Sequence, residues 1–148
     1  MSVKPNDPNF ETRVRESFES QSVMRLIGAR LDLVEPGKVE IELNARTDLT
    51  QQNGYVHAGI VTTILDSACG YAAYTLMPVN SGVLSVEFKV NLLAPAKGER
   101  IRAFAEVKRS GRTLTVCNAD AFAIDRDGET LCATMLATLF CVTPKGVE

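Results

Sequence analysis

The sequence predicts an α+β domain in which a meander of antiparallel strands wraps around one long buried helix. Between residues 59 and 76, apolar side chains recur at the spacing of one helix face; they are Val61, Ile64, Leu65, Ala68 and Ala72. From residue 84 to residue 92, apolar and polar side chains alternate instead, which is the period of a strand with one solvent-exposed face. Turn signals follow at residues 94–98, 110–111 and 125–128, so four consecutive strands are predicted after the helix.

The segment before the long helix predicts a further helix and a hairpin. Residues 9–25 carry a broken apolar stripe among charged side chains, which is typical of an amphipathic helix. Residues 27–34 and 38–43 show apolar alternation on either side of the turn signal Glu35-Pro36-Gly37, so they are predicted to pair as strands. Residues 46–56 are rich in polar side chains and are predicted to form a loop that leads to the long helix.

Length and charge limit the possible organisation and partners. The chain has 148 residues, which suits a helical lead segment over residues 1–26 and one domain over residues 27–143. Its 16 Lys and Arg against 18 Asp and Glu give a formal charge of −2, so no general attraction to nucleic acid or to an anionic membrane is expected. Neither a signal peptide nor a run long enough to cross a bilayer is recognisable, and we therefore expect a cytoplasmic protein.

The four cysteines indicate buried reduced thiols. They are isolated within apolar segments, form no CxxC pair and have no metal-ligand spacing with the only histidine, so no metal site is expected. Cys69 is close to Asp66 in sequence, but no histidine in a suitable position activates its thiol. We therefore interpret Cys69 as a small core residue.

The late strands predict a second copy of the chain. Residues 131–142 carry apolar side chains on both faces of the predicted strand, with Leu131, Ala133 and Met135 against Leu136 and Phe140. One helix cannot cover both faces of a sheet. A two-fold dimer that covers part of the remaining face is the simplest arrangement.

The start of the long helix carries the most chemical information in the chain. The turn-forming pair Asn53-Gly54 precedes His57 and the small residues that open the helix, where backbone N–H groups have no intrahelical acceptor. Asp66 then introduces a single acidic side chain into the helix. An N–H group that holds an oxyanion and a carboxylate that attacks, or activates water, are together sufficient to hydrolyse an acyl compound.

The spacing of these groups predicts a site shared between chains. Gly59 and Asp66 are seven residues apart, so they lie on the same helix face but about 10 Å apart along the axis. One carbonyl group cannot contact both the N–H donors and the carboxylate. The carboxylate must therefore come from another chain, and the site is predicted to straddle the dimer interface.

Four sequence features together resemble the hotdog-fold acyl-CoA thioesterases of the phenylacetate-pathway type. They are the arrangement Gly54-x-x-His57-Ala58-Gly59 followed by Asp66, the strand segment Leu84 to Phe88, the turn Ala94 to Gly98, and Arg109-Ser110-Gly111-Arg112. The resemblance covers roughly residues 27–142. It implies a central helix wrapped by a sheet, dimers or dimers of dimers, and hydrolysis of acyl-CoA thioesters without a metal or redox cofactor.

The resemblance also implies roles for individual residues. Asp66 matches the catalytic carboxylate, which acts as a nucleophile or as a general base toward water. Ala58, where the family usually has Gly, matches the residue whose backbone N–H polarises the thioester carbonyl. Gln51 matches a side-chain amide near the thioester, and Ser85 matches a hydroxyl that orients the attacking water. His57 is interpreted as a residue that orients the loop, next to Gly59 at the helix start.

The turn at Arg109, Ser110, Gly111 and Arg112 is the candidate contact for the phosphates of CoA, because guanidinium groups pair with phosphate in bidentate fashion. On the residues alone, the same turn could equally be a solvated hairpin tip. The sequence leaves open which acyl group is bound, and whether the assembly is a dimer or a tetramer.

Two alternatives to hydrolysis remain at this stage. One is hydration or dehydration of an acyl thioester on the same fold, although the nine-residue separation of His57 and Asp66 fits the carboxylate and histidine pair of those enzymes poorly. The other is a non-catalytic acyl-CoA sensor or scaffold. Tight binding of acyl-CoA without turnover would distinguish the sensor from the hydrolase.

Overall fold

A curved antiparallel sheet of six strands packs against one long helix in a computed structural model that describes residues 3–144. The helices are α1 (Phe10–Ser20), α2 (Ser22–Ile27) and α3 (Ala58–Tyr74), and a short 3-10 turn spans Thr47–Leu49. The strands are β1 (Arg30–Glu35), β2 (Lys38–Asn44), β3 (Gly82–Leu92), β4 (Arg100–Ser110), β5 (Leu114–Asp125) and β6 (Gly128–Val142). Their order in the sheet is β1-β2-β4-β5-β6-β3, with every neighbouring pair antiparallel. The predicted α+β architecture is confirmed.

Small side chains on the inner face of the sheet allow α3 to lie close to it. The central strands β4, β5 and β6 point fully buried alanines at the helix, namely Ala103, Ala105, Ala119, Ala121, Ala133 and Ala137. The helix contributes Ala68, Ala72 and Ala73, which are also fully buried. Because protein interiors are close-packed, a larger side chain at these positions would displace the helix.

The N-terminal segment differs from its prediction. The single helix predicted over residues 9–25 is two helices, which are separated at Gln21 by extended backbone (φ −80°, ψ 102°). The strand predicted from residue 27 begins instead at Arg30, because Ile27 ends α2 and Gly28 takes the left-handed conformation (φ 72°) that terminates many helices. At the break, Gln21 accepts a hydrogen bond from Ser67 of α3 at 3.2 Å, a long-range contact that the local sequence pattern does not report.

Arg13 of α1 binds the C-terminal end of α3. Its guanidinium donates hydrogen bonds to the carbonyl oxygens of Tyr74, Met77 and Pro78, at 2.8, 2.9 and 2.6 Å. It also lies 4.3 Å from the centre of the Tyr74 ring. Carbonyl groups in the last turn of a helix lack intrahelical donors and carry partial negative charge, so a cation stabilises them. This contact holds the N-terminal helices against the domain.

Strand β3 forms an open edge of the sheet. Within residues 3–144 it pairs only with β6, and its other side has no strand partner. Three of its apolar side chains are largely exposed, with 62 % of Leu84, 57 % of Val86 and 58 % of Leu92 accessible. A long, apolar, unpaired edge is a surface on which another strand can pair. This edge is where the predicted second copy would bind.

No helix within residues 3–144 is both long enough and apolar enough to cross a membrane.

Candidate active site

His57 shapes the start of α3. Its ring Nδ1 accepts a hydrogen bond from the backbone N–H of Gly59 at 2.8 Å, which caps the first turn of the helix. Its own backbone N–H donates to the carbonyl oxygen of Leu49 at 2.9 Å, which fixes the preceding loop. Since Nδ1 accepts, the neutral ring carries its proton on Nε2. Through these two hydrogen bonds His57 joins the preceding loop to the start of α3.

Ala58 leaves one N–H group available. As the first residue of α3 it has no intrahelical acceptor, and its N–H meets no acceptor elsewhere in residues 3–144, whereas the Gly59 N–H is bound to His57. Ala58 borders a largely apolar cavity of about 480 Å³. The other lining residues are Gln51, Tyr55, Val56, Val61, Leu92, Leu93, Ala94, Pro95, Ala96 and Cys132. Among residues 3–144, the Ala58 N–H is therefore left without a partner, on a residue that borders this cavity.

Gln51 lies at the same cavity, in a loop that its own groups hold together. Its side-chain Oε1 accepts from the backbone N–H of Asn53, and its backbone N–H donates to the carbonyl oxygen of Tyr55 at 2.8 Å. The side-chain amide Nε2 meets no acceptor within residues 3–144. Gln51 and Ala58 thus line the same cavity, and the place of Gln51 near the substrate stays a prediction.

Asp66 and Ser85 lie together in a second, smaller pocket. The Ser85 hydroxyl on β3 donates to Asp66 Oδ1 at 2.6 Å. Asp66 is half-buried, and the pocket around it has a volume of about 170 Å³. Its other lining residues are Ser17, Gln21, Ser67, Gly70, Tyr71 and Val83. The structure therefore brings together the predicted carboxylate and the predicted orienting hydroxyl.

Within one chain, Ala58 and Asp66 face different cavities. They are eight residues apart on α3, which corresponds to about 12 Å along the helix axis. The pocket of Asp66 borders the start of β3 through Val83 and Ser85, whereas the cavity of Ala58 borders the end of β3 through Leu92 and Leu93. One chain does not hold the acid and the N–H donor in a common site.

The sequence profile of the thioesterase superfamily matches residues 53–130, which is more than half of the chain and includes Ala58, Asp66 and Ser85. The chain belongs to the thioesterase superfamily. It is a thioester hydrolase with the hotdog fold that its sequence predicts.

A thioesterase family protein from Silicibacter pomeroyi is 52 % identical and has a TM-score of 0.90, covering 91 % of this chain and 99 % of its own. Human acyl-coenzyme A thioesterase 13 is 29 % identical over 72 % of this chain and 77 % of its own length. The E. coli PaaI protein from the phenylacetic acid degradation operon has a TM-score of 0.80, covering 90 % of this chain and 94 % of its own. At 12 % identity that last likeness concerns the fold alone. The predicted resemblance to this group is confirmed.

The arginine-containing turn of the thioesterase lies at the far end of α3 from Ala58. It joins β4 to β5, and Ser110, Gly111 and Arg112 border a cavity of about 140 Å³ that Leu76 and Met77 also line. A Cβ atom on Gly111 would lie 2.8 Å from the carbonyl oxygen of Leu114, so the tight turn requires glycine there. The role of Arg109 and Arg112 in binding phosphate stays a prediction.

Cys69 is excluded as a nucleophile by its surroundings. It lies on α3 and is fully buried, and desolvation raises the pKa of its thiol far above the ordinary range. Burial likewise raises the pKa of the Cys117 thiol to about 12. All four cysteines are free and buried, as the sequence predicts.

Two residues that line the pocket of Asp66 cannot be identified from the sequence pattern. Ser17 and Gln21 come from the N-terminal helices and line the pocket of Asp66, more than 40 residues away along the chain. Nothing in the local pattern of residues 9–25 signals this contact.

Across residues 3–144, no group of three or more His, Cys, Asp or Glu side chains is arranged to hold a metal ion.

Replacement of His57 tests the cap. We expect His57→Ala to lower the free energy of unfolding by about 0.5–2 kcal/mol, because the Gly59 N–H loses its acceptor. His57→Asn should recover most of this loss, since its side-chain oxygen can accept the same bond. Urea unfolding of the three proteins gives the comparison. If the two variants were equally destabilised, the hydrogen bond would not be what His57 contributes.

Proposed function

We propose that the protein hydrolyses acyl-CoA thioesters to the free acid and CoA at a site shared by two copies of the chain. Asp66 of one copy drives attack on the thioester carbon, and the Ala58 N–H of the other copy holds the developing oxyanion. Overall, an oxygen from water forms a bond to the carbonyl carbon and the bond from carbon to sulfur breaks. CoA leaves as a thiolate that takes up a proton.

The position of both cavities along β3 carries this proposal. The pocket of Asp66 borders the start of the strand, and the cavity of Ala58 borders its end. If the free edges of two β3 strands pair antiparallel across a two-fold axis, the start of each strand lies beside the end of the other. The acid of one copy then meets the N–H donor of its partner. The exposed apolar edge of β3 supports this pairing.

The lining of the larger cavity supports an acyl thioester as substrate. Its walls are mainly Val56, Val61, Leu92, Leu93 and Pro95, which suit an apolar acyl chain, while Ala58 and Gln51 supply donors for the carbonyl oxygen. The similarity to human acyl-coenzyme A thioesterase 13 favours CoA as the thiol. We expect the guanidinium groups of Arg109 and Arg112 to contact its phosphates.

The proposed reaction uses water and side chains of the protein, and neither a metal nor a redox cofactor takes part. We further propose that two such dimers associate. Exposed apolar side chains on the outer face of the sheet support this, namely Leu114, Leu136 and Phe140. Sedimentation of the native protein measures the assembly.

A panel of acyl-CoA thioesters tests the proposed function. The purified protein is mixed with short, medium and aryl acyl-CoA substrates, and the free thiol released is measured with a thiol reagent. We expect turnover with release of one thiol per thioester consumed. Tight binding without thiol release from any member would contradict hydrolysis and favour a sensor, and addition of water to an enoyl-CoA would favour a hydratase.

A further inference from the structure

The N-terminal helices form one wall of the pocket around Asp66. Ser17 on α1 and Gln21 at the break between α1 and α2 both line the pocket. The hydroxyl groups of Ser17 and Tyr71 are 3.2 Å apart, and the Ser67 hydroxyl donates to Gln21 Oε1 at 3.2 Å. These helices lie outside residues 53–130, which match the superfamily. The wall is thus a feature of this chain beyond the matched region.

Gln21 presents a free donor to the pocket. Its backbone leaves the helix there, and its side-chain oxygen is bound by Ser67. The Nε2 group meets no acceptor in residues 3–144, although the side chain is partly buried. Asp66 complements it, because Ser85 binds Oδ1 and no donor within the same residues binds Oδ2. Gln21 and Asp66 therefore bring a donor and an acceptor without partners among residues 3–144 to the same pocket.

We propose that Gln21 is a water-positioning residue, which holds the attacking water against Asp66. The inference rests on the proposed function. The pocket has a volume of about 170 Å³, enough for several water molecules, and its lining is largely polar. A water that donates to Asp66 Oδ2 and accepts from Gln21 Nε2 has its remaining lone pair fixed in direction.

This arrangement assigns Asp66 the role of general base. The proton of the water passes to Asp66 as the oxygen bonds to the thioester carbon, and the protonated acid then returns the proton to the departing thiolate. No covalent acyl-enzyme forms. Gln21 lies at the break between α1 and α2, and its side chain lines the pocket of Asp66.

Two substitutions at Gln21 test the proposal. Gln21→Ala should lower kcat about 10-fold or more, with KM changed much less, because water is misplaced while the acyl-CoA contacts remain. Gln21→Glu puts a second carboxylate in the pocket of Asp66. Two carboxylates sharing a site resist being ionised together, so the acid limb of the kcat against pH profile should move to higher pH. Glu16→Ala, at an exposed position of α1, is the control and should keep native kinetics.

Isotope labelling tests the general-base assignment. After many turnovers in H₂¹⁸O, the label should be found in the product acid and not in the peptide that contains Asp66. Label in Asp66 would show a covalent intermediate and would overturn the proposal. A second pair of results would also overturn the proposal. In this case the pH profile of Gln21→Glu is unchanged, and Gln21→Ala loses kcat only in proportion to its loss of thermal stability.

The experiment separates this inference from the proposed function. If Asp66→Asn abolishes hydrolysis while Gln21→Ala keeps the native kcat, the role of Gln21 is wrong and the thioesterase site stands. If the native protein releases no thiol from any acyl-CoA, both are wrong.

Discussion

Asp66→Asn is expected to lower kcat for acyl-CoA hydrolysis by about 10²- to 10⁴-fold with the fold intact. The substitution keeps the size of the side chain and removes its basicity. The amide oxygen can still accept the hydrogen bond from Ser85, so the pocket should keep its shape. Thiol release measures the activity, and circular dichroism with thermal unfolding checks the fold.

Asp120→Asn provides a matched control for this change. Asp120 accepts a hydrogen bond from the Thr134 hydroxyl at 2.6 Å, as Asp66 does from Ser85, but it lies on the outer face of the sheet away from both cavities. The Asp120→Asn variant loses the same charge as Asp66→Asn and should keep the native kcat. Equal activity of Asp66→Asn and the native protein would reject the catalytic role of Asp66.

Mixing two inactive proteins is expected to restore activity. Ala58→Pro removes the proposed oxyanion donor, and proline is well tolerated at the first position of a helix. His57 already has the extended backbone (φ −57°, ψ 136°) that a residue before proline requires. Ala58→Pro alone should lower kcat about 10²- to 10³-fold. Each mixed dimer with Asp66→Asn contains one intact site, so equal mixtures that exchange freely should recover roughly a quarter of native activity.

A second mixture gives the opposite result if the site is shared. A chain that carries both substitutions is combined with the native chain, and in each mixed dimer both sites then lack one group. The mixed dimers should be inactive. Were each site contained in one chain, they would keep half of the native activity instead, and the first mixture would recover none. Differently tagged chains allow the mixed dimers to be purified before the assay.

The central part of the fold is predictable because its signals are local. The helical period in α3 and the alternation in β3 each depend on residues close together in sequence, as does the short arrangement from Ala58 to Asp66. The break at Gln21 is not predictable in this way. Helices readily accept Gln, and the contact that Gln21 makes at the break is with Ser67, which lies 46 residues further along the chain.

The sequence patterns alone also do not determine where the predicted site residues lie relative to one another. The turn at Arg109 lies at the end of α3 opposite Ala58 because β2 and β4 pair in one register, with Asn44 opposite Arg100 and Lys38 opposite Glu106. A shift of that pairing would move the turn along the helix. Local patterns therefore identify candidate groups such as Ala58 and Asp66, whereas long-range pairing decides which of them meet.

The alanine-lined contact between sheet and helix limits how substrate preference can change in this enzyme. Where these alanines pack, the sheet and α3 lie close together, so this contact offers no space for a bigger acyl group. A longer acyl group would have to be accommodated in the apolar cavity that Ala58 borders, which these alanines do not line. Changes in substrate range would then fall on residues that line that cavity, such as Leu92 and Leu93, and leave the alanines unchanged.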